Sequence, residues 1–205
     1  MVSRHYHDCS VCLLSVGRVM RALSLGLKRL VVLTASVLVV SVAYYFYAYL
    51  TYAPVKENET FLAEIGEAFG EVGLWLLCFI YLRTALKLLL GKGAIARRLL
   101  PDYSLPVNLR PLDRIIPLLD RTHIYVGMVA VVVILLHIGL ADIPMQILFF
   151  PAVLALVIWQ GLFGLFITWR YTPAQIWKFS YLVHAQLLTG IMIGVFAYFG
   201  HLLID

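Results

Sequence analysis

Four of the six histidines in this chain, His123, His137, His184 and His201, stand in apolar surroundings where an imidazole is costly to place. Ionisable groups at membrane depth mark function by default. His123 and His137 are 14 residues apart, and His184 and His201 are 17 apart. At 1.5 Å rise per residue these intervals cover ~21 Å and ~25 Å of helix. If both segments cross in the same direction, His123 meets His184 near one membrane face and His137 meets His201 near the other. Two imidazoles from neighbouring helices form the axial ligand set of a six-coordinate b-type haem. The spacing therefore predicts one or two haems b, with His123, His137, His184 and His201 as cofactor-binding residues on the haem iron. A macrocycle stack of two fits within a hydrocarbon core of ~30 Å. Two other readings remain: hydrogen bonding between helices in a structural subunit, and a proton relay in a small transporter.

The elements that position these residues follow from composition. The 205 residues are 62% hydrophobic and 13% charged, with mean hydropathy +0.93, against about 25% charged in an average soluble domain. That balance argues against a water-soluble enzyme, a disulfide scaffold and a nucleic-acid module. The expectation is an all-α integral membrane protein, a bundle of five transmembrane helices in contact with the lipid bilayer. The spans are read as 30–52, 66–90, 122–141, 147–168 and 179–204, each near the ~20 apolar residues a crossing needs. Residues 1–29 form a cytoplasmic tail and 30–205 the transmembrane domain. All 16 basic residues except Lys56 fall on one side of this arrangement, whereas Glu57, Glu59, Glu64, Glu67 and Glu71 fall on the other. Positive charge stays inside, so the N-terminus is placed inside and the C-terminus outside. The net charge of +5 has the same cause and does not argue for nucleic acid.

On the third span, Gly127, Ala130 and Ile134 continue the face of His123. The first two are small enough to leave room for a flat cofactor. Gly190, Gly194 and Gly200 offer similar room on the fifth span, although small residues also allow close helix contact. At 3.5 residues per turn, 14 residues return to the same face, while 17 leave His201 roughly 50° off the line of His184. A bulge near Gly190 or Gly194, or a helix tilt, is expected to absorb that angle.

Two stretches carry a family resemblance. "DRTHIYVGMVAVVVILLHIGL" (120–140) holds histidines 14 apart on one span, and "LFITWRYTPAQIWKFSYLVHAQLL" (165–188) ends a span in a short basic-aromatic loop with a histidine soon after. Over residues 70–204 the chain resembles the ferric reductase-like transmembrane family, which includes NADPH oxidases and bacterial haem-binding membrane subunits. The resemblance implies electron transfer across the membrane through b-haems on paired histidines, with His123, His137, His184 and His201 as ligands. A dihaem cytochrome b subunit of a respiratory enzyme fits the same residues. The implied protein is an electron-transfer subunit of an oxidoreductase in the cell (inner or plasma) membrane, working with a redox protein or quinone and with other subunits of a complex. No GxGxxG turn for a nucleotide occurs in the chain.

Smaller candidates complete the reading. His5, His7, Cys9 and Cys12 offer donors at metal-site spacing in the tail. Cys78 is expected in the core, as is Trp159. Gln160 needs a partner at its depth: a haem edge, a backbone carbonyl or a quinone. Arg114, Arg121, Arg170 and Lys178 are candidate partners for haem propionates. The segment 91–121, with four of the eight prolines, is expected to be irregular apart from a short amphipathic helix over 112–119. Asn58-Glu59-Thr60 matches a glycosylation sequon.

Overall fold

A computed structural model describes residues 24–52, 60–99 and 110–204. They form seven helices: α1 (Leu25–Thr51), α2 (Phe61–Leu89), α3 (Gly93–Leu99), α4 (Arg110–Leu140), α5 (Phe149–Thr168), α6 (Ala174–His184) and α7 (Leu187–His201). No strand occurs among the described residues. The tail residues His5, His7, Cys9 and Cys12 and the sequon residues Asn58 and Glu59 lie outside them.

Four helices are long and apolar enough to cross a membrane, and α6 with α7 forms a pair bent by 50° that passes the same test together. The His184 ring lies beside His123 and the His201 ring beside His137. The bent pair therefore covers the same depth as α4 and makes one broken crossing. The chain is an all-α, multi-pass membrane protein.

Local chemistry sets the helix ends. Ser24 caps α1 by accepting from the Leu27 N–H at 3.2 Å, and its hydroxyl donates to the Leu99 carbonyl at the end of α3. Thr60 caps α2 by accepting from the Ala63 N–H at 3.2 Å, with Glu64 in the first turn where the helix dipole favours an anion. The break between α6 and α7 falls at Ala185 and Gln186, whose N–H groups bond to the Tyr181 and Val183 carbonyls. Gln186 is extended, with φ −84° and ψ 118°. This break, rather than a bulge at Gly190 or Gly194, changes the direction of the fifth crossing between its two histidines.

In the segment 91–121, α3 at Gly93–Leu99 corrects the expectation of irregular chain, and residues 100–109 lie outside the described set. The helix expected over 112–119 is the start of α4, which runs unbroken through Pro117. An interior proline costs a helix about 3 kcal/mol. Here Ile116 and Leu119 on either side of it are buried, and that packing offsets the lost backbone bond.

α2 packs along α4, and α5 packs against α4, α6 and α7, while α1 leans on α7 and α3. Glycine lets α2 approach: a Cβ at Gly66 would stand 2.6 Å from the backbone nitrogen of Ala141, and one at Gly73 3.0 Å from Ile134. Cys78 lies off this stripe and is exposed, not in the core. A central cluster of Ile134, Val153, Val157 and Ile193 joins α4, α5 and α7. A second cluster, Ile143, Ile147, Phe149 and Phe150, closes the end that holds His137 and His201.

One close approach carries a stability prediction. Tyr81 of α2 reaches α7 at Gly190, where a Cβ would overlap its ring. Gly190→Ala should cost about 1–3 kcal/mol by overpacking. Thermal unfolding in detergent checks this, and the double variant Gly190→Ala/Tyr81→Leu should recover most of the loss.

Candidate functional site: two histidine pairs across the bundle

The structure brings the four intramembrane histidines together as two pairs. His123 and His184 have ring centroids 6.1 Å apart with planes at 65°. His137 and His201 have centroids 5.9 Å apart with planes at 10°. These are the partners expected from matched depth. Two imidazoles bound to one metal through nitrogen, at about 2 Å per bond, hold their ring centroids roughly 6 Å apart. Both pairs have that separation.

Backbone carbonyls fix the ring nitrogens. His137 Nδ1 lies 2.8 Å from the Gly66 carbonyl oxygen, His184 Nδ1 3.1 Å from that of Gln160, and His201 Nδ1 2.8 Å from that of Ala197. A carbonyl only accepts, so in all three rings Nδ1 carries the proton and donates. In the neutral ring Nε2 then keeps its lone pair, the state a metal-binding imidazole requires. His123 Nδ1 is buried and has no hydrogen-bond partner among the described residues.

The supports for His137 and His184 follow one design. Gly66 accepts from His137, and Gly70, one turn on, leaves room for that ring: a Cβ there would sit 2.7 Å from the ring's Cε1 and Nδ1. Gln160 accepts from His184, and Gly164, again one turn on, faces that ring with a Cβ position 3.1 Å from Cε1. A carbonyl followed four residues later by glycine thus receives a histidine on α2 and on α5. The glycine spacing at 66 and 70 is a close-packing signal readable in sequence.

Space accompanies the rings. α4 and the α6–α7 pair carry all four histidines, yet they are not among the helix pairs that pack closely along their backbones. A Cβ built at Gly127 or Gly194 would meet nothing within 4 Å. Gly127 follows His123 by one turn and Gly194 precedes His201 by two, so each shares its histidine's face. Gly190 and Gly200 do not offer such room, being filled by Tyr81 and by Phe150. The donor set, the ring separations and these open faces fit a flat bis-imidazole-ligated macrocycle. Among the described residues no group of three or more His, Cys, Asp or Glu side chains converges, so protein ligands alone do not complete a metal coordination shell there.

Charge collects at the inner pair. Asp120, one turn before His123, receives Arg83 Nε at 2.5 Å and Lys87 Nζ at 2.6 Å. The cluster ties α2 to α4 and leaves an excess of one positive charge. Arg83 interacts electrostatically with both His123 and His184. Of the expected propionate partners, Arg121, Arg170 and Lys178 are exposed, and the Arg114 side chain lies outside the described set. Sequence reading took Arg83 and Lys87 for positive-inside charges, and only the helix phase of α2 against α4 reveals their place. Gln160 contributes its own backbone carbonyl to His184, a role distinct from the partner expected for its side-chain amide.

Comparison with known proteins adds no identity. No protein-family model matches the chain, and no curated protein or solved structure matches it either.

Proposed function

We propose that the chain is a membrane cytochrome b that passes electrons across the bilayer through two bis-histidine b-haems. His123 and His184 hold the inner one, and His137 and His201 the outer. The observation that carries this reading is the pair of imidazole couples, each about 6 Å between centroids, at two depths of one bundle. When bound, the haems supply one-electron iron chemistry. The chain's residues do the rest. Gly66, Gln160 and Ala197 orient three rings through their carbonyls, and Gly70 and Gly164 admit two of the rings. Arg83 and Lys87 supply positive charge beside the inner pair, where it favours anionic groups and the reduced state of the iron.

A proton relay is disfavoured by the space between the pairs. Ile134 and Ile193 each lie between the two histidines of their own crossing, and they pack with Val153 and Val157 in an apolar cluster. A relay needs continuous polar groups, whereas electron transfer does not. Within this proposal the protein is an electron-transfer subunit of an oxidoreductase in the cell membrane, exchanging electrons with a redox protein or quinone and assembled with other subunits.

The test is a dithionite-reduced minus oxidised spectrum of the purified chain, with haem counted by pyridine haemochrome. A b-type α-band and two haems per chain are expected. No haem after expression with ample haem supply overturns the proposal.

A further inference from the structure

The break between α6 and α7 opens onto a cavity that the histidine pairs do not use. About 320 Å³ in volume, it lies between α5 and α7 and is lined by Leu156, Trp159, Gln186, Leu188, Thr189 and Met192, among others. That is the lower end of small-molecule site volumes. Trp159, expected in the core, is 47% exposed here, and Phe163 holds its ring edge-on at 4.6 Å between centroids.

The polar character of this cavity is specific. Broken helices are tolerated at membrane depth where they line a cavity or are covered by protein. Gln186, one of the lining residues, starts α7 without a side-chain capping bond. Thr189, a buried polar residue, adds a hydroxyl one turn further on. The first N–H groups of α7 have no acceptor within the helix. Across from these donors, on α5, stand Ala155, Leu156 and the Trp159 indole, and Leu188 and Met192 of α7 complete the apolar lining. Among the described residues no charged side chain lines the cavity, so neither an anionic headgroup nor a cation finds a counter-ion among them. An acyl chain has no acceptor for the donors. A flat, uncharged, lipid-soluble ring bearing carbonyl oxygens matches both walls.

The position points the same way. Gln186 follows His184 by two residues, and Trp159 precedes Gln160, whose carbonyl receives the His184 Nδ1–H. Both walls of the cavity are thus continuous with the residues that hold the inner pair. We propose that this cavity binds the headgroup of a lipid-soluble quinone, its tail lying in the bilayer beside α5 and α7. The choice of a redox carrier rests on the haem reading above; the fit of an uncharged carbonyl-bearing ring does not.

The experiment uses the full chain in lipid nanodiscs, a radiolabelled benzoquinone with a decyl tail, and an azido derivative of it for photolabelling. Saturable binding of one probe per chain is expected, with adducts on the peptides that hold Trp159 and Leu188–Met192. Gln186→Leu and the near-isosteric Thr189→Val should each weaken binding about tenfold, the loss of about 1.4 kcal/mol that one hydrogen bond accounts for. Haem is counted in the same preparations. Saturable, variant-sensitive binding in a haem-free chain supports the site while refuting the cytochrome reading. A haem-loaded chain with only non-saturable uptake, labelling spread over lipid-facing residues, or affinity unchanged in both variants overturns the site. Displacement of the probe by added phospholipid overturns it in favour of a lipid-filled groove.

Discussion

His201→Ala should lower the haem content from two per chain to one and leave the membrane-inserted fold intact. His201 makes its Nδ1 hydrogen bond to Ala197 within its own helix, so its loss breaks no bond between helices. His137→Ala should remove the same outer haem at a higher structural cost, because His137 also links α4 to Gly66 of α2. The contrast separates ligation from packing. Both variants lose the outer haem, and His137→Ala alone should lower the thermal midpoint by the value of a buried hydrogen bond and its packing, about 1–3 kcal/mol. At the inner pair, His123→Ala and His184→Ala should each remove the other haem. His184→Ala frees the Gln160 carbonyl, whereas His123 holds no protein partner through Nδ1 among the described residues. Haem per chain by pyridine haemochrome and the α-band of the remaining centre check all four variants. Unchanged haem content in any one of them sinks that residue's assignment. Imidazole added to His201→Gly should restore the outer spectrum, a rescue that a purely structural histidine would not show.

Much of this arrangement was legible from side-chain type and interval. Apolar length marks the crossings, and the 14-residue interval on one span placed two histidines on one face. Matched depth then named both partners without a structure. The fifth crossing was less legible because Ala185 and Gln186 carry no proline or glycine to announce a break. The run from Phe179 to Ile204 reads as one apolar helix, and the 17-residue interval alone signalled a change of direction. The prolines obscured length rather than place: the short helix expected over 112–119, Pro117 included, is the start of α4, which continues unbroken to Leu140. Trp159 and Cys78 show a further limit. In lipid the outside of a bundle is as apolar as its inside, so hydrophobicity does not tell a core position from a lipid-facing one. The same ambiguity hid Arg83, whose charge suits the positive-inside pattern as well as a place beside the inner histidines. Small residues at regular spacing, as at Gly66, Gly70 and Gly73, are the better guide to which face turns inward.

Three glycine-to-alanine substitutions should grade the site. At Gly70 the new methyl would stand 2.7 Å from the His137 ring, inside any real contact distance, so the ring must move. Gly70→Ala should displace His137 from the Gly66 carbonyl and strongly deplete the outer haem, with the inner one kept. At Gly164 the methyl would stand 3.1 Å from His184 Cε1, a separation relieved by a few tenths of an ångström. Gly164→Ala should therefore shift the inner spectrum and weaken haem retention without abolishing it. Gly127 is the decisive case, because a methyl there meets no protein atom within 4 Å. In a chain that binds nothing, Gly127→Ala should be neutral or stabilising, by up to about 1 kcal/mol from helix propensity. If a macrocycle lies on the face of His123, the methyl instead intrudes on it, and the inner haem should dissociate faster while the haem-free protein is no less stable. Thermal unfolding of the haem-free chain and haem transfer to apomyoglobin from the loaded chain give the two readouts. Opposite signs in them identify Gly127 as part of a cofactor cradle, whereas unchanged haem retention removes the cofactor from that face of α4.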